Sequence, residues 1–517
     1  MRRLALTARS CSVLLDEAGD YWATSPVQLT LNGVALGEEK RSVFSLFDLR
    51  PDAEYCLEAR RGGAKVGELR FHTEGETCAL DVHRFGAVGD GLHDDTPAIQ
   101  AALLCCPPGG RVFLGAGDYR VGPLFLKSHI TLELKRGATL RLIADRARFP
   151  ILPGSIPAEN PAGELLLGSW EGNPLDCYAA ALTGIGVEDV RVIGEGTVDG
   201  CAQLGDWWLE PKKKRGAYRG RLLYLKDCRD VLVQGLGFRN SPAWNLHPAF
   251  SENLDFIDIS VEAPADSPNT DGFDPESCKG VRVYGARFSV GDDCIAIKSG
   301  KLYAGMKYRR PCEDIDIAWC AMLDGHGGVT VGSEMAGGVR NVRVRRCLMS
   351  GNDRGLRIKT RRGRGKYAVI DDIRFEDVRM ERVKAPLVIN CLYYCDPDGH
   401  AEWVQSRRKR PVDDTTPTVG EIRFERVTAT GCGACAAYIL GLPERPVARV
   451  LLRDCRFDYA ADARPMAPAM ADGVEMCLRR GVVARYVKRL ELENVRLAGA
   501  EGPEVDAMWV EKVKNTQ

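Results

Sequence analysis

KGVRVYGARFSVGDD (279–293), EDIDIAWCAMLDGHG (313–327) and VRNVRVRRCLMSGNDRG (339–355) are three versions of one pattern. Each opens with a polar turn, alternates apolar and polar residues, and bends at Gly, Asn or Asp. Alternation at a period of two marks a strand with one buried face. The pattern recurs upstream as VEDVRVIGEGTVDG (187–200), RDVLVQGLGFRNS (229–241) and ENLDFIDISVEAP (252–264). Downstream it returns as DDIRFEDVRMERVK (371–384), GEIRFERVTATGC (420–432), ARVLLRDCRFDYAA (448–461) and KRLELENVRLAG (488–499). Several starts lie roughly 23–34 residues apart, and wider gaps imply loop insertions. Such a repeat fits a solenoid whose coils stack strand on strand. β-Propeller blades need about 40–45 residues with tighter regularity, so a parallel β-helix is the better fit.

Outward from the repeats, FGAVGDGLHDDTPAIQAALLCC (85–106) reads as a turn and then a helix start. Asp95 or Thr96 can cap, and Pro97 suits the first helical position. A helix near 95–105 would cover one open end of the solenoid, which otherwise exposes sheet edges. Residues 1–78 read as a small all-β unit: SPVQLTLNGV, SVFSLFDLRPDAEYCLEAR and KVGELRFHTEG alternate between turn signals. FDLRPDAEYCLEAR (47–60) resembles the late strands of a fibronectin type III domain. The division expected is therefore a β-sandwich at 1–78 and a solenoid at 79–517.

The chain has 517 residues, with 71 Lys+Arg against 71 Asp+Glu. That balance gives no global attraction to nucleic acid or to an anionic membrane. No apolar run reaches the ~18 residues of a membrane span. The N-terminus reads as a folded strand, since Arg9 and Ser10 interrupt any secretory-type core. The 19 Cys are an odd count without a disulfide framework, which fits reduced thiols in a cytoplasm. The lone pair Cys432 and Cys435 reads as structural, and no metal site is evident.

Four short motifs fall at the turns of successive repeats: Asn269-Thr270-Asp271-Gly272, Gly291-Asp292-Asp293, Gly325-His326-Gly327 and Arg357-Ile358-Lys359. Asp271 and Asp292 are 21 residues apart, about one coil. Stacked strands lie roughly 4.7–4.9 Å apart, so three carboxylates would crowd one patch. Carboxylates that close cannot all ionise easily, so one pKa should rise. Glycoside hydrolysis uses one protonated and one ionised carboxyl group. Adjacent strand residues point to opposite faces, so Asp292 and Asp293 share the cleft only if Gly291 places a bend there. The glycines beside His326 would let substrate approach the backbone. Arg357 and Lys359 share one strand face, and an anion such as a uronic acid carboxylate would join them.

With these motifs in this order, the chain resembles glycoside hydrolase family 28, the polygalacturonase family. The FGAVGDG opening at Phe85–Gly91 and GEGTVDG at Gly194–Gly200 add to the match, which covers about 80 to at least 400. The resemblance implies a right-handed parallel β-helix, and hydrolysis of α-1,4-galacturonosidic bonds with inversion and without a cofactor or metal. It makes Asp292 the general acid, with Asp271 and Asp293 activating water and carboxyl separations of roughly 6.5–9.5 Å. His326 would support the acid, and Asn269 would orient groups nearby. Arg357 and Lys359 would hold the substrate carboxylate. A family tyrosine follows about one coil later in LVINCLYYCDPDG; counting selects Tyr393 from one side and Tyr394 from the other, with Tyr393 favoured. NSPAWNLHP (240–248) resembles bacterial exo-acting members, so Trp244 and His247 could line a subsite, while Trp244 could equally sit in the core. Trp207, Trp208 and the basic run Lys212–Arg215 lie in an insertion that is either a cleft wall or a solvated loop.

The expected partner is pectic oligosaccharide or polygalacturonate, with no nucleic acid and no membrane; the sequence leaves the oligomeric state open. An exo-acting enzyme releasing galacturonate is favoured, on the N-terminal β domain, the insertions and a cytoplasmic setting. The rivals are an endo-polygalacturonase, a hydrolase of rhamnogalacturonan or xylogalacturonan, a lyase on the same solenoid, and a non-catalytic binding solenoid.

Overall fold

The computed structural model describes residues 1–157 and 164–516. From Ala79 onward the chain winds as a right-handed parallel β-helix with three faces. Coil length can be read from the pairing itself. Val231 pairs with Leu254, 23 residues on, and Val281 pairs with Ile315, 34 residues on. A second face is a parallel sheet of 13 strands running from Asp90–Asp94 to Arg496–Ala498. The third face carries the motifs, in the strands Asp293–Ile297, Gly327–Val331, Arg354–Lys359 and Ala385–Asn390. It continues toward the N-terminus through Leu246–Ala249, joined by the single bridges Leu246 to Phe273 and Phe273 to Ile295.

The alternation in the sequence becomes columns of buried side chains. Val281, Ile315, Val342, Ile373, Ile422 and Val450 stack coil upon coil, each at most 1% exposed. At the corner after these strands the backbone takes one left-handed residue per coil, as at Asp258, Asp377, Asp454 and Asn494. Asp and Asn tolerate that conformation, which is why polar residues recur at the bend. Trp319, Arg346 and Arg426 adopt it as well, although the sequence gives no such signal there.

The helix Thr96–Cys105 buries Ile99, Ala102 and Leu103 against the first coils. Asp95 is its N-cap residue, but its carboxylate does not cap: it accepts from the amides of Val88 at 2.7 Å and Gly89 at 3.1 Å. The acid therefore ties the preceding turn to the helix start.

Ahead of the solenoid lie an antiparallel sheet of three strands and one of four, the last ending at His72. Their facing sides share a core that includes Val13, Leu29, Phe44 and Leu57, which makes a small sandwich. Ala79–Asp81 already pairs with the solenoid strand Gly110–Leu114. The sandwich is seated on the remaining face, which carries the strands Glu252–Ile257, Lys279–Tyr284 and Cys312–Ala318: Leu14 and Val43 pack with Ile257, Tyr284 and Trp319. Arg41 pairs with the buried Asp258 at 2.5 Å. A Cβ at Gly235 would lie 2.2 Å from Phe47, and one at Gly285 would lie 2.6 Å from Val43. These two glycines let the sandwich approach the solenoid backbone.

None of the nineteen cysteines is in a disulfide, and Cys432 and Cys435 are buried in the interior. Among the described residues, no helix is long and apolar enough to cross a membrane.

Candidate active site

The third face brings Asp271, Asp292 and Asp293 together, with one carboxylate oxygen from each within 4.8 Å of the others. Asp292 and Asp293 are chain neighbours, and Asp271 lies one coil away, so no spacer separates them. Gly291 and Asp292 form the corner, and Asp293 is the first residue of its strand. Gly291 is needed for close approach: a Cβ there would lie 2.5 Å from the Ser267 carbonyl oxygen.

The three acids differ sharply in surroundings. The Asp293 side chain is fully buried, with Arg357 Nη1 at 3.1 Å from one oxygen and Lys359 Nζ at 2.8 Å from the other. Burial opposes its ionisation, but Lys359 and Arg357 outweigh it and hold the carboxyl well below its usual range. The anion that joins the two cations is thus Asp293, where a substrate carboxylate was expected. Asp271 is also buried, and burial together with the charge of Asp292 raises its pKa to about 7. Asp292 is the most open of the three, with 23% of its side chain exposed. Nδ1 of His326 lies 3.4 Å from Asp292, and that interaction raises the imidazole pKa despite partial burial. Among the three acids, Asp271 is therefore the one whose surroundings hold a proton most readily in the free protein.

The glycines flanking His326 lie close against the acids. A Cβ at Gly325 would lie 2.6 Å from the Asp292 carbonyl oxygen, and Gly325 has a left-handed φ of 84°. A Cβ at Gly327 would lie 2.7 Å from Asp293 Oδ1. They make room for the acids.

Tyr393 stands beside the cations, its ring 5.9 Å from Arg357 and 5.5 Å from Lys359. Tyr394 instead stacks on His400 at 4.4 Å. Asn269 adopts a left-handed turn conformation, and its Oδ1 accepts from Arg219 at 2.6 Å. His247 does not line the cleft. It is fully buried, bonded to Glu276 at 2.9 Å, and burial followed by the nearby Arg221 lowers its pKa to about 4. Trp244 lies between these groups: its ring meets Lys298 Nζ at 4.4 Å, and it stacks with Trp170 at 6.3 Å.

Lys298, Asp274 and Glu334 are the residues that sequence reasoning missed. Lys298 Nζ lies 3.7 Å from Asp271, 3.4 Å from Asp274 and 3.2 Å from Glu334. Burial works against the ammonium, but Glu334, Asp274 and Asp271 raise its pKa well above the usual lysine value. Burial and Asp271 likewise raise the pKa of Asp274 well above the usual aspartate value. A signal for Lys298 was present. Ala296 and Lys298, the latter just past the end of the strand that Asp293 opens, have the same i, i+2 spacing as Arg357 and Lys359 on theirs. By distance alone the three catalytic-type acids could hold a cation. Arg357, Lys359 and Lys298 already supply positive charge there.

The insertion forms a flank of the cleft. Trp170 stacks with Tyr218 at 5.1 Å, and Arg219 reaches Asn269 from the same segment. Trp207 is fully buried, and Trp208 Nε1 donates to the Ser241 carbonyl at 3.0 Å. The run Lys212–Arg215 pairs with Glu210 and Asp206 inside the insertion and with Glu171 and Asp176 outside it, so it ties the insertion to the 171–176 segment.

The chain is 29% identical over 421 residues to a probable polygalacturonase of Vitis vinifera, spanning 79% of this chain and 81% of that one. It is 32% identical over 313 residues to an endo-polygalacturonase of Pectobacterium carotovorum subsp. carotovorum, spanning 58% of this chain and 72% of that one. Among solved structures, a hyperthermoactive exopolygalacturonase from Thermotoga maritima superposes with a TM-score of 0.64 at 26% identity, covering 82% and 93% of the two chains. The family model described as glycosyl hydrolases family 28 matches residues 167–467, a span that holds all three acids, His326, both cleft cations and Tyr393. On that match, which takes in more than half of its length, the chain belongs to glycosyl hydrolases family 28, the polygalacturonase family.

Proposed function

We propose that the protein hydrolyses α-1,4-galacturonosidic bonds from a chain end, releasing galacturonate with inversion. The observation that carries this reading is the division of labour among the three acids. Asp292 is the one open to the cleft, and it would protonate the glycosidic oxygen. Its proton would come from the shared Asp271–Asp292 pair once a sugar displaces solvent. Asp271, left ionised, would activate a water. Two carboxylate oxygens within 4.8 Å of each other can both hydrogen-bond one water between them. Asp293 would fix Arg357 and Lys359 at the cleft floor. Its oxygens are both engaged by those cations, which argues against a covalent attack by Asp293 and for attack by water.

The close approach of one oxygen from each acid motivates a second reading, a retaining reaction with carboxyl groups about 5–5.5 Å apart. Nuclear magnetic resonance of the first anomer released decides between the two. An α-to-β change means inversion, and an α product means a covalent intermediate.

A uronate substrate is supported by charge. Arg357, Lys359 and Lys298 bring positive charge to the cleft, and the raised pKa values of Asp271 and Asp274 weaken the negative charge that a uronate would meet there. A rhamnogalacturonan backbone would place a neutral sugar against Arg357 and Lys359 and lose that complement. Exo action is supported by the Trp170–Tyr218–Arg219 wall over Asn269. Its nineteen unpaired cysteines support a reducing, cytoplasmic setting.

A time course on polygalacturonate and on a galacturonate trimer tests the whole reading. Monomer as the sole early product is the expected result. A ladder of oligomers would mean endo action, and no turnover would overturn the galacturonan assignment. Asp292→Asn should abolish turnover with an unchanged circular dichroism spectrum.

A further inference from the structure

NSPAWNLHP (240–248) contributes no histidine to the cleft, yet two of its residues converge on Asp271. The backbone amide of Asn245 donates to the Asp271 carbonyl at 2.8 Å. Its side-chain Nδ2 donates to the same carbonyl at 3.0 Å and to that of Thr270 at 3.2 Å. Asn245 is fully buried, so it clamps the corner that carries Asp271 from one coil away. The neighbouring residue, Trp244, reaches the cation beside that acid: its ring centre lies 4.4 Å from Lys298 Nζ.

The indole is itself held in place. Trp170 stacks with it nearly parallel at 6.3 Å, and the Arg221 guanidinium lies 5.4 Å from its centre. His247 meets it edge to face at 4.9 Å. That imidazole is fixed in turn by Glu276, which also accepts from Ser169 Oγ at 3.1 Å. Lys298, by contrast, has a choice of anions. Glu334 at 3.2 Å and Asp274 at 3.4 Å are both nearer to its Nζ than Asp271 at 3.7 Å. A lysine stem is flexible, and an ammonium in a desolvated site is attracted to an indole face. Without the ring, the ammonium would settle on its nearest anion, Glu334.

We propose that Trp244 is a positioning residue that holds Lys298 beside Asp271, so that a cation is in place when that acid loses its proton. This rests on the reading above in which Asp271 activates water. Burial opposes the Asp271 anion most, followed by Asp292 and Asp293, while Lys298 and Lys359 favour it. Asp274 faces Asp271 as well, and Arg219 lies within reach of its charge. Of the two lysines, Lys359 is already bound to Asp293 at 2.8 Å. Lys298 is therefore the cation whose position can change the charge on Asp271, and the aromatic against it is Trp244.

The test compares the unsubstituted protein with Trp244→Leu and Trp244→Phe. Difference infrared spectroscopy against the matching Asp271→Asn proteins reads the titration of the Asp271 carboxyl without turnover. Trp244→Leu is expected to move that titration up by about half a pH unit or more, and Trp244→Phe to move it less. The acid limb of kcat/KM for digalacturonate should move with it, with KM held within about twofold. In a Lys298→Met background Trp244→Leu should move the titration no further, because the effect passes through the ammonium. An unmoved titration overturns the proposal, as does a shift of equal size in the Lys298→Met background. A rise in KM of about tenfold with an unmoved titration would make Trp244 a sugar platform instead. Missing turnover of digalacturonate by the unsubstituted protein would overturn the hydrolytic reading, and the infrared titration would still decide the role of Trp244.

Discussion

Nζ of Lys359 lies 2.8 Å from Oδ2 of Asp293, and neither side chain is more than 9% exposed. Together with Arg357 they form a buried triad under the cleft, one anion between two cations. Removing the anion leaves two buried positive charges unpaired, which costs far more than the net worth of the pairs. Asp293→Asn is expected to destabilise the protein by about 3–5 kcal/mol and to abolish turnover. Denaturant unfolding checks the first part. An unfolding midpoint equal to that of the unsubstituted protein would show that the triad does not hold the floor of the site.

Asp271 makes stability depend on pH. Burial and Asp292 raise its carboxyl to about 7 in the folded state, whereas an unfolded Asp titrates near 3.9. Between those values the folded protein keeps a proton that the unfolded chain has lost. The contribution is fully present below about 3.9 and is lost as pH rises through about 7. Asp271→Asn removes the charge that has to be buried above pH 7. Its thermal midpoint should exceed that of the unsubstituted protein at pH 8, with the gap closing toward pH 4. A constant difference across that range would place the charge elsewhere.

His326 should set the alkaline limb of activity. Its hydrogen bond to Asp292 raises the imidazole above the usual histidine value of about 6.5. Below that pKa an imidazolium faces Asp292, and above it the charge is lost. The log of kcat/KM should fall with a slope of one above that pKa. His326→Asn is expected to cost about 100-fold and to flatten the limb. An unaltered alkaline limb in the variant would remove His326 from the reaction.

Lys298 acts through Asp271 as a positioning residue. Its ammonium favours the ionised form of that acid, so Lys298→Met should raise the acid limb of the pH profile by about one unit. Lys298→Arg should restore part of the original profile. A loss of rate with an unmoved profile would mean that Lys298 serves packing against Trp244 alone.

The two adjacent tyrosines separate cleanly. Tyr393→Ala should raise KM for oligogalacturonate about tenfold, because its ring lines the cation pair. Tyr394→Ala should leave KM within twofold, because that ring packs on His400. The reverse ranking in steady-state kinetics would exchange their roles.

The solenoid was legible from sequence because its physics is local and repeated. A strand with one buried face must alternate, and a corner must bend, so every coil writes the same message. The columns at Val281, Ile315 and Val342 follow directly from it. The four motifs were legible for the same reason, since each falls at a corner of a known period. The helix at Thr96–Cys105 announced itself through Pro97 and the apolar run after it.

Charge partners were not legible, because they are set by which residues the coils bring together across long gaps in the chain. Asp293 and Lys359 are 66 residues apart, and their pairing depends on the register of three neighbouring strands. The same holds for Lys298 with Glu334 and for Arg219 with Asn269. The burial of His247 is a similar case: NSPAWNLHP reads alike whether its histidine faces a sugar or lies behind Trp244. By itself the sequence determined the β-helix, the sandwich before it and the positions where chemistry could occur. Only the tertiary structure decided which acid keeps the proton and which cations are already neutralised, because both depend on desolvation and distance, and those exist only once the coils are stacked.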